Sequence, residues 1–219
     1  MKRLVVIVAM AIALTGCDAL PFASTPQPAN TLAYEAPVSL TIKKDTQLNG
    51  TSIAYNGKTE TGSAKLVIAG LAAPKQVADT VDWEGTPAPN ASVKLSTRVV
   101  SYDDQAITLV GTARIAIKDV KIQPGGLPGT PLIEFNAPVT FNLSKNEFAL
   151  GSNIAYAGST PNGAQFLGVE GYPYRKTLDS IQYNGRLTSK VFLRLDLRLI
   201  RFTETDAVVG GTAKIIIEQ

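Results

Sequence analysis

A thirteen-residue stretch decides the fold class of this chain: Lys190-Val191-Phe192-Leu193-Arg194-Leu195-Asp196-Leu197-Arg198-Leu199-Ile200-Arg201-Phe202. In an extended strand, every second side chain lies on the same face. One face then carries Val191, Leu193, Leu195, Leu197 and Leu199, and the other carries Arg194, Asp196 and Arg198. On a helix these charges would be scattered around the axis, so the pattern predicts a strand of an antiparallel sheet with one face in water. At about 3.3 Å per residue it would span roughly 40 Å, so we expect it to bend or to cross between sheets.

The same alternation recurs in segments 38–43, 66–68 and 93–99. Sustained helical periodicity is not found, and we expect about ten to thirteen strands. Segment 72–81 is the one candidate for a short helical turn. The turn would have to start at Pro74, because proline is tolerated in the first turn of a helix but not in its interior. Without helices to cover a sheet face, strands must cover strands. The sequence therefore predicts an all-β fold, either an antiparallel sandwich or a partly closed barrel.

Two short strings repeat along the chain. The first occupies segment 52–58, returns at 180–186 and has a weaker copy at 153–159; the second occupies 62–68, 111–117 and 211–217. Asn56-Gly57 and Asn184-Gly185 have the residues of a type I′ turn, so these copies are expected to be hairpin tips. Two interpretations stay open: convergent strand chemistry, or a duplication packed as two related halves. Segment 124–131, rich in proline and glycine, is expected to be a surface loop that joins the halves.

The N-terminus reads as an export signal. Met1-Lys2-Arg3 is basic, segment 4–14 is apolar, and Leu14-Thr15-Gly16-Cys17 follows. The apolar segment is too short for a transmembrane helix, which needs about 20 residues, and has the anatomy of a secretory signal. Its Leu-Thr-Gly-Cys ending resembles the lipobox of bacterial lipoproteins. The resemblance implies cleavage after Gly16 and a diacylglyceryl group on the Cys17 thiol.

The resemblance also implies a location. A lipoprotein of this kind is attached to a membrane through acylated Cys17 and faces the periplasm or the exterior. Asp18 is similar to the signal that retains lipoproteins of enteric diderm bacteria in the inner membrane. We therefore expect three parts: a signal peptide at 1–16, the acylated cysteine and a Pro-rich linker at 17–30, and a single all-β domain at 31–219. The linker composition favours an extended spacer.

Charge argues against one class of partner. The whole chain has 21 basic and 18 acidic residues, for a formal charge of +3. Removing residues 1–16 takes away Lys2 and Arg3, which leaves 19 against 18 and a charge of +1. Binding to nucleic acid requires clustered cations, so we do not expect it.

Few residues offer catalytic chemistry. The chain has no histidine, and Cys17 is its only cysteine, which excludes the usual triads, thiol catalysis and His-based zinc sites. Asp103-Asp104 is best explained as a turn. Asp82 and Glu84 flank Trp83, but sequence neighbours rarely form a glycosidase pair. We expect no catalytic residues, no metal and no cofactor.

Two segments are candidates for binding. Segment 70–91 contains Trp83, which is either an exposed anchor or a plug that pins the segment to the body. Segment 166–176 contains Tyr172, Tyr174 and Arg175, which together suit contacts to sugar, peptide or lipid headgroups. The alternative there is a strand edge blocked by Pro173.

Three functions follow from these observations. The first is a non-enzymatic envelope lipoprotein that binds or scaffolds another envelope component, whether protein, glycan or lipid. The second is a carrier that holds an apolar or lipid ligand in a cavity closed by its strands. The third is a hydrolase that uses only carboxylates, with Asp82 and Glu84 as its best candidates.

Overall fold

The computed structural model describes residues 30–218, and this part of the chain is built of strands and turns, with no helix. The first eight strands are β1 (Leu32–Lys43), β2 (Thr46–Gln47), β3 (Ile53–Lys58), β4 (Ala64–Ile68), β5 (Leu71–Lys75), β6 (Thr80–Ala88), β7 (Ala91–Tyr102) and β8 (Ala106–Ile117). The next eight are β9 (Gln123–Pro124), β10 (Pro131–Ser144), β11 (Ala155–Thr160), β12 (Gly163–Leu167), β13 (Tyr174–Arg175), β14 (Ser180–Arg186), β15 (Val191–Phe202) and β16 (Asp206–Glu218). The all-β prediction is confirmed. The helical turn expected in 72–81 is wrong, because that segment contains β5 and the start of β6.

The strands form four antiparallel sheets. The two larger sheets have the orders β1-β8-β7-β6 and β10-β16-β15-β14-β9. The two smaller ones are β2-β3-β4-β5 and β11-β12-β13. No sheet among the described residues closes on itself as a closed barrel would, and the architecture is consistent with a sandwich.

The long strand predicted from its alternation is β15. All five residues of its apolar face are buried in the core, whereas Arg194 and Asp196 are only half-buried and Arg198 is exposed. The pairing register between β15 and β16 shifts at Ile200, which is therefore a bulge residue. β7 has the same shift at Val100. Bulges increase the local twist and bend a long strand. The bulge in β15 therefore agrees with the bend that we expected from the length of this strand.

The chain is organised as two related halves. Residues of β1 to β3 recur 101 positions later, as Tyr55 and Tyr156 do, and residues of β4 to β8 recur 100 positions later, as Gly111 and Gly211 do. Local hydrogen bonds recur with them: Asp79 accepts the Gln76 N–H at 2.8 Å, and Asp179 accepts the Lys176 N–H at 2.7 Å. These shared details favour duplication over convergence.

The repeated strings seen in the sequence are only partly the equivalent positions. Segment 52–58 corresponds to its weaker copy at 153–159, whereas 180–186 corresponds to β6. The expected hairpin tips are also wrong: Asn56-Gly57 lies within β3, and Asn184-Gly185 lies within β14. Gly57 does have a positive φ of 80°, but it sits where the β3–β4 register shifts, before the true turn at 59–63. Segment 125–130 is a loop between the halves, as expected.

The two halves contact each other reciprocally. Gly50, after β1, lies against Leu132 and Ile133 at the start of β10. Its counterpart Gly151, after β10, lies against Leu32 and Tyr34 at the start of β1. Contacts that repeat in both directions are characteristic of an isologous, two-fold interface. Buried residues of both halves consequently form one hydrophobic cluster.

A buried tyrosine ties the small sheet of each half to a turn of the large sheet. The hydroxyl of Tyr55 on β3 donates to the Asp103 carbonyl oxygen, and that of Tyr156 on β11 donates to the Thr203 carbonyl oxygen. Burial raises the pKa of both tyrosines, and nearby carboxylates, Asp103 for Tyr55 and Asp206 for Tyr156, raise it further. The neutral hydroxyl is therefore the form that the fold stabilises.

We predict that Gly111→Ala and Gly211→Ala each lower the free energy of unfolding by about 2–3 kcal/mol or more. A Cβ at either position would lie closer than 3.0 Å to a backbone oxygen of the neighbouring strand, that of Ser96 or of Asp196. Denaturant unfolding measures the effect. Gly125→Ala is the control, because nothing lies within 4 Å of its added Cβ, and it should change stability by less than about 0.5 kcal/mol. Equal effects at all three positions would contradict the close strand approach.

We also predict that the protein loses stability at alkaline pH. Tyr34, Tyr55 and Tyr156 have raised pKa values in the fold, chiefly through burial, whereas an unfolded tyrosine ionises near about pH 10. Above that pH the unfolded chain binds fewer protons than the folded one, so the free energy of unfolding falls as pH rises. Denaturation at a series of pH values should show little change between about pH 6 and 9, since the chain has no histidine. Undiminished stability at about pH 11 would contradict this prediction.

Candidate functional site

Trp83 is held in the body of the protein by its neighbours. It lies on β6, is half-buried, and donates its indole N–H to the Ser52 hydroxyl at 2.8 Å. Its ring covers Gly85, where an added Cβ would lie closer than 3.0 Å to the indole. These contacts favour the plug interpretation, while its role in binding stays a prediction.

Tyr172, Tyr174 and Arg175 are brought together around β13. The two ring centroids are 5.1 Å apart with an interplanar angle of 60°. The Arg175 guanidinium donates to the carbonyl oxygens of Ser180 at 2.9 Å and Tyr174 at 3.0 Å, and also to that of Tyr172. Arg175 therefore shapes this turn with its own backbone. Tyr172 keeps 63% of its surface exposed and remains the accessible member of the predicted binding group.

The acidic candidates do not converge on a common point. Asp82 and Glu84 are both exposed on the same face of β6. Asp103 accepts the backbone N–H groups of Gln105 and Ala106 at 2.7 and 2.9 Å, and these bonds lower the pKa of its carboxyl. That arrangement is an Asx turn between β7 and β8, as predicted for a turn aspartate.

A cavity that the sequence did not reveal lies along the edge of β14. It has a volume of about 330 Å³ and is lined by Pro124, Gly125, Gly126, Gly168, Glu170, Gln182, Tyr183 and Asn184. Strand β9 pairs with β14 only at Gly185 and Arg186. The edge of β14 at residues 182–184 therefore borders the cavity together with loop residues of segments 125–126 and 168–170. We call this feature the β14 cavity.

Two buried polar atoms belong to residues of the β14 cavity and have no hydrogen-bond partner among residues 30–218. They are the Tyr183 hydroxyl and the Asn184 side-chain oxygen. Tyr183 is only 4% exposed. Burial raises its pKa, while the backbone amide of Asn153 acts in the opposite direction. In the sequence, this difference between the halves is marked by Tyr183, which stands where the first half has Trp83.

A second, apolar groove lies where the described chain begins. It has a volume of about 300 Å³, and its apolar lining comprises Leu32, Val120, Ile122, Phe148, Ala149 and Leu150. The Val120 N–H donates to the Asn30 carbonyl oxygen at 3.1 Å and holds the start of the chain beside it.

Predictions about residues 1–29, including Cys17, Asp18 and the linker, lie outside the described residues. Between residues 30 and 218, no group of three or more His, Cys, Asp or Glu side chains is placed to hold a metal ion. The same part of the chain has no helix of the length and apolarity that a membrane span requires.

Comparison with protein-family models, curated proteins and solved structures found no match to this chain.

We predict that Trp83→Ala lowers the free energy of unfolding by about 2–3 kcal/mol, because it removes the ring that covers Gly85 and the bond to Ser52. Tyr172→Ala is the control, since its ring is largely exposed, and it should change stability by no more than about 0.5 kcal/mol. Thermal or denaturant unfolding measures both. A Trp83→Ala protein as stable as the parent would favour the exposed-anchor interpretation.

Proposed function

We propose that this protein is an envelope lipoprotein, attached to a membrane through acylated Cys17, whose β body binds or scaffolds another envelope component without catalysing a reaction. The lipobox-like ending at Leu14 to Cys17 is the single observation that carries the anchor. Two or three acyl chains, at about 0.8 kcal/mol per buried CH₂, would hold the protein stably where one chain would not.

The geometry of the body supports the non-enzymatic part of the proposal. The carboxylates considered for catalysis either form a turn, as Asp103 does, or lie on an open strand face, as Asp82 and Glu84 do. A carboxylate-based hydrolase needs two carboxyl groups facing each other across a substrate at about 5–10 Å, in a cleft. An open face of one strand offers no such cleft.

The location and partners follow from the anchor. The body would face the periplasm or the exterior, and Asp18 favours the inner membrane. The partner would be a protein, glycan or lipid of the envelope. Nucleic acid is excluded from the proposal because the mature chain has a formal charge of only +1, from 19 basic and 18 acidic residues.

The second candidate, a carrier of apolar ligands, loses its main support. That hypothesis drew on the apolar face of β15, and all five residues of this face are packed in the core. The groove beside Asn30 is the feature on which a carrier would now depend. Phe148 and Leu150, which line it, are 61% and 45% exposed, so the groove is open to water rather than enclosed. Ligand sites usually bury most of their ligand, which an open groove does poorly.

We predict that the full-length chain, expressed in a bacterial host supplied with an alkyne-bearing fatty acid, becomes labelled and fractionates with membranes. The thiol of Cys17 is the acceptor, so Cys17→Ser should abolish both the label and removal of residues 1–16. Gel mobility and in-gel fluorescence after coupling a dye to the alkyne measure both effects. The Ser152→Cys variant in a Cys17→Ser background is the matched control, since it restores a thiol without the lipobox. Equal labelling of the parent and Cys17→Ser proteins, or an unlabelled parent in the cytosol, would overturn the anchor.

A further inference from the structure

The groove beside Asn30 has a counterpart in the first half, and the two grooves differ in their exposed side chains. Exposed Gln47 and Asn49 line the counterpart groove. With the offset of 101 positions, they correspond to Phe148 and Leu150, which line the groove beside Asn30. Two exposed polar side chains in one half are therefore apolar in the other. We call Phe148 and Leu150 the apolar pair.

The backbone that presents these side chains is held in the same way in both halves. The Ser152 hydroxyl donates to the Ala149 carbonyl oxygen at 2.9 Å, and the Thr51 hydroxyl donates to the Leu48 carbonyl oxygen at 2.8 Å. Each hydroxyl also accepts the backbone N–H of the residue two positions on, at 3.2 and 3.1 Å respectively. The same turn thus forms with polar or with apolar exposed side chains, so folding does not require the apolar pair.

Packing does not explain the apolar pair either. Phe148 keeps 61% of its surface exposed, and Leu150 keeps 45%. Half-buried Val120 and Ile122 extend the apolar surface of the groove beside them. Exposed apolar side chains that gather in one place mark an interaction surface more often than isolated ones do.

The position of the groove relative to the proposed anchor indicates what covers it. Asn30 and Thr31, where the described chain begins, themselves line the groove. Cys17 lies 13 positions before Asn30, so the connecting segment spans at most about 45 Å even when fully extended. A bilayer that holds the acyl chains of Cys17 is therefore within reach of the groove, and the connecting segment does not have to pass around the body.

A tether allows weak contacts to be sufficient. Two exposed side chains are too few to hold a free protein on a bilayer. A short flexible connection raises the effective concentration of the bilayer near the groove, so docking becomes an intramolecular step. Apolar side chains that enter the boundary between headgroups and acyl chains gain from their burial. An open groove, which encloses a small ligand poorly, suits a broad surface of this kind.

The charges next to the groove are mixed in sign. Exposed Lys118, Asp119 and Lys121 belong to the segment that contributes its apolar wall, and exposed Glu147 precedes Phe148. We therefore expect docking to depend on apolar insertion rather than on lipid charge, and to change little with ionic strength.

We propose that the groove beside Asn30 docks on the bilayer that holds the acyl chains of Cys17, with Phe148 and Leu150 inserted at the boundary between headgroups and acyl chains. This inference rests on the proposed function, whose anchor supplies the tether. It deepens that function by naming the surface of the β body that faces the membrane.

The test measures how close each of the two grooves comes to lipid. Cys17 is the only cysteine and is acylated in the proposed mature protein, so Leu150→Cys supplies one free thiol for an environment-sensitive fluorescent dye. Asn49→Cys is the matched control, because it is the equivalent position in the counterpart groove. Residues 40–43 at the end of β1 line that groove, whereas Leu32 at its start lines the groove beside Asn30. Along β1 these two places are about 30 Å apart.

The acylated proteins, purified from membranes, are inserted into phosphatidylcholine vesicles with or without lipids that carry a nitroxide quencher on an acyl chain. We expect the nitroxide lipids to quench the dye at position 150 at least about threefold more strongly than the dye at position 49, because only the docked groove lies at the bilayer surface. Equal quenching at the two positions would overturn the proposal.

A second variant separates apolar insertion from proximity that the tether alone would produce. Phe148→Gln introduces the residue that the first half has at position 47, and in the Leu150→Cys background it should reduce quenching about twofold or more. Gln47→Phe in the same background is the control and should leave quenching unchanged. Undiminished quenching in the Phe148→Gln protein would refute insertion.

A stability measurement separates docking from a structural role of the apolar pair. Because Phe148 is largely exposed, Phe148→Gln should melt within about 3 °C of the parent protein in detergent. A much larger decrease would mean that this side chain serves the fold, and would remove the basis of the inference.

The remaining outcomes distinguish failure of docking from failure of the anchor. Acylated protein that floats with the vesicles while the dye at position 150 stays unquenched would refute docking and leave the anchor standing. If that unquenched dye also emits as in an apolar environment, protein covers the groove instead, either segment 18–29 or a second copy. A full chain that does not float with the vesicles would refute the anchor, and docking with it.

Discussion

The need to cover one apolar sheet face with other strands governs this structure. β15 and its counterpart β7 present a continuous row of apolar side chains, and the described chain has no helix to lay over them. Burial of such a face contributes about 25 cal/mol per Å² of apolar area, which no loop could replace. Each half therefore places a small sheet and the partner half against its large sheet. The single hydrophobic cluster that spans both halves is the consequence.

Because the chain is a duplication, one structural unit used twice supplies the strands that cover the apolar sheet faces. Each half supplies the same long strands, bulges and turn aspartates, and the reciprocal contacts of Gly50 and Gly151 join the halves as two subunits of a dimer would be joined. Equivalent glycines, Gly111 and Gly211, allow the same close approach of strands in both. The features that both halves share are therefore best explained by the packing that the fold requires.

Features that the halves do not share are where function is best sought. Trp83 and Tyr183 occupy equivalent positions, yet the Trp83 indole N–H donates to the Ser52 hydroxyl, whereas Asn153 stands in the place of Ser52 beside Tyr183. Arg175, which the sequence suggested as a binding cation, instead donates its hydrogen bonds to backbone carbonyl oxygens at positions 172, 174 and 180. The proposed lipoprotein thus has an anchor argued from residues 1–17 and a body whose two halves differ in particular side-chain contacts.

The sequence alone predicted the all-β class, the exposed and buried faces of β15, the turn at Asp103 and the loop between the halves. Each of these depends on near neighbours, because strand alternation and turn chemistry are local. It misplaced the hairpin tips at Asn56-Gly57 and Asn184-Gly185 and the helical turn at 72–81, since sheet pairing overrode local propensity there. The reciprocal interface between the halves and the β14 cavity were decided by tertiary structure. They depend on contacts between residues that lie dozens of positions apart along the chain, and no local pattern encodes such contacts.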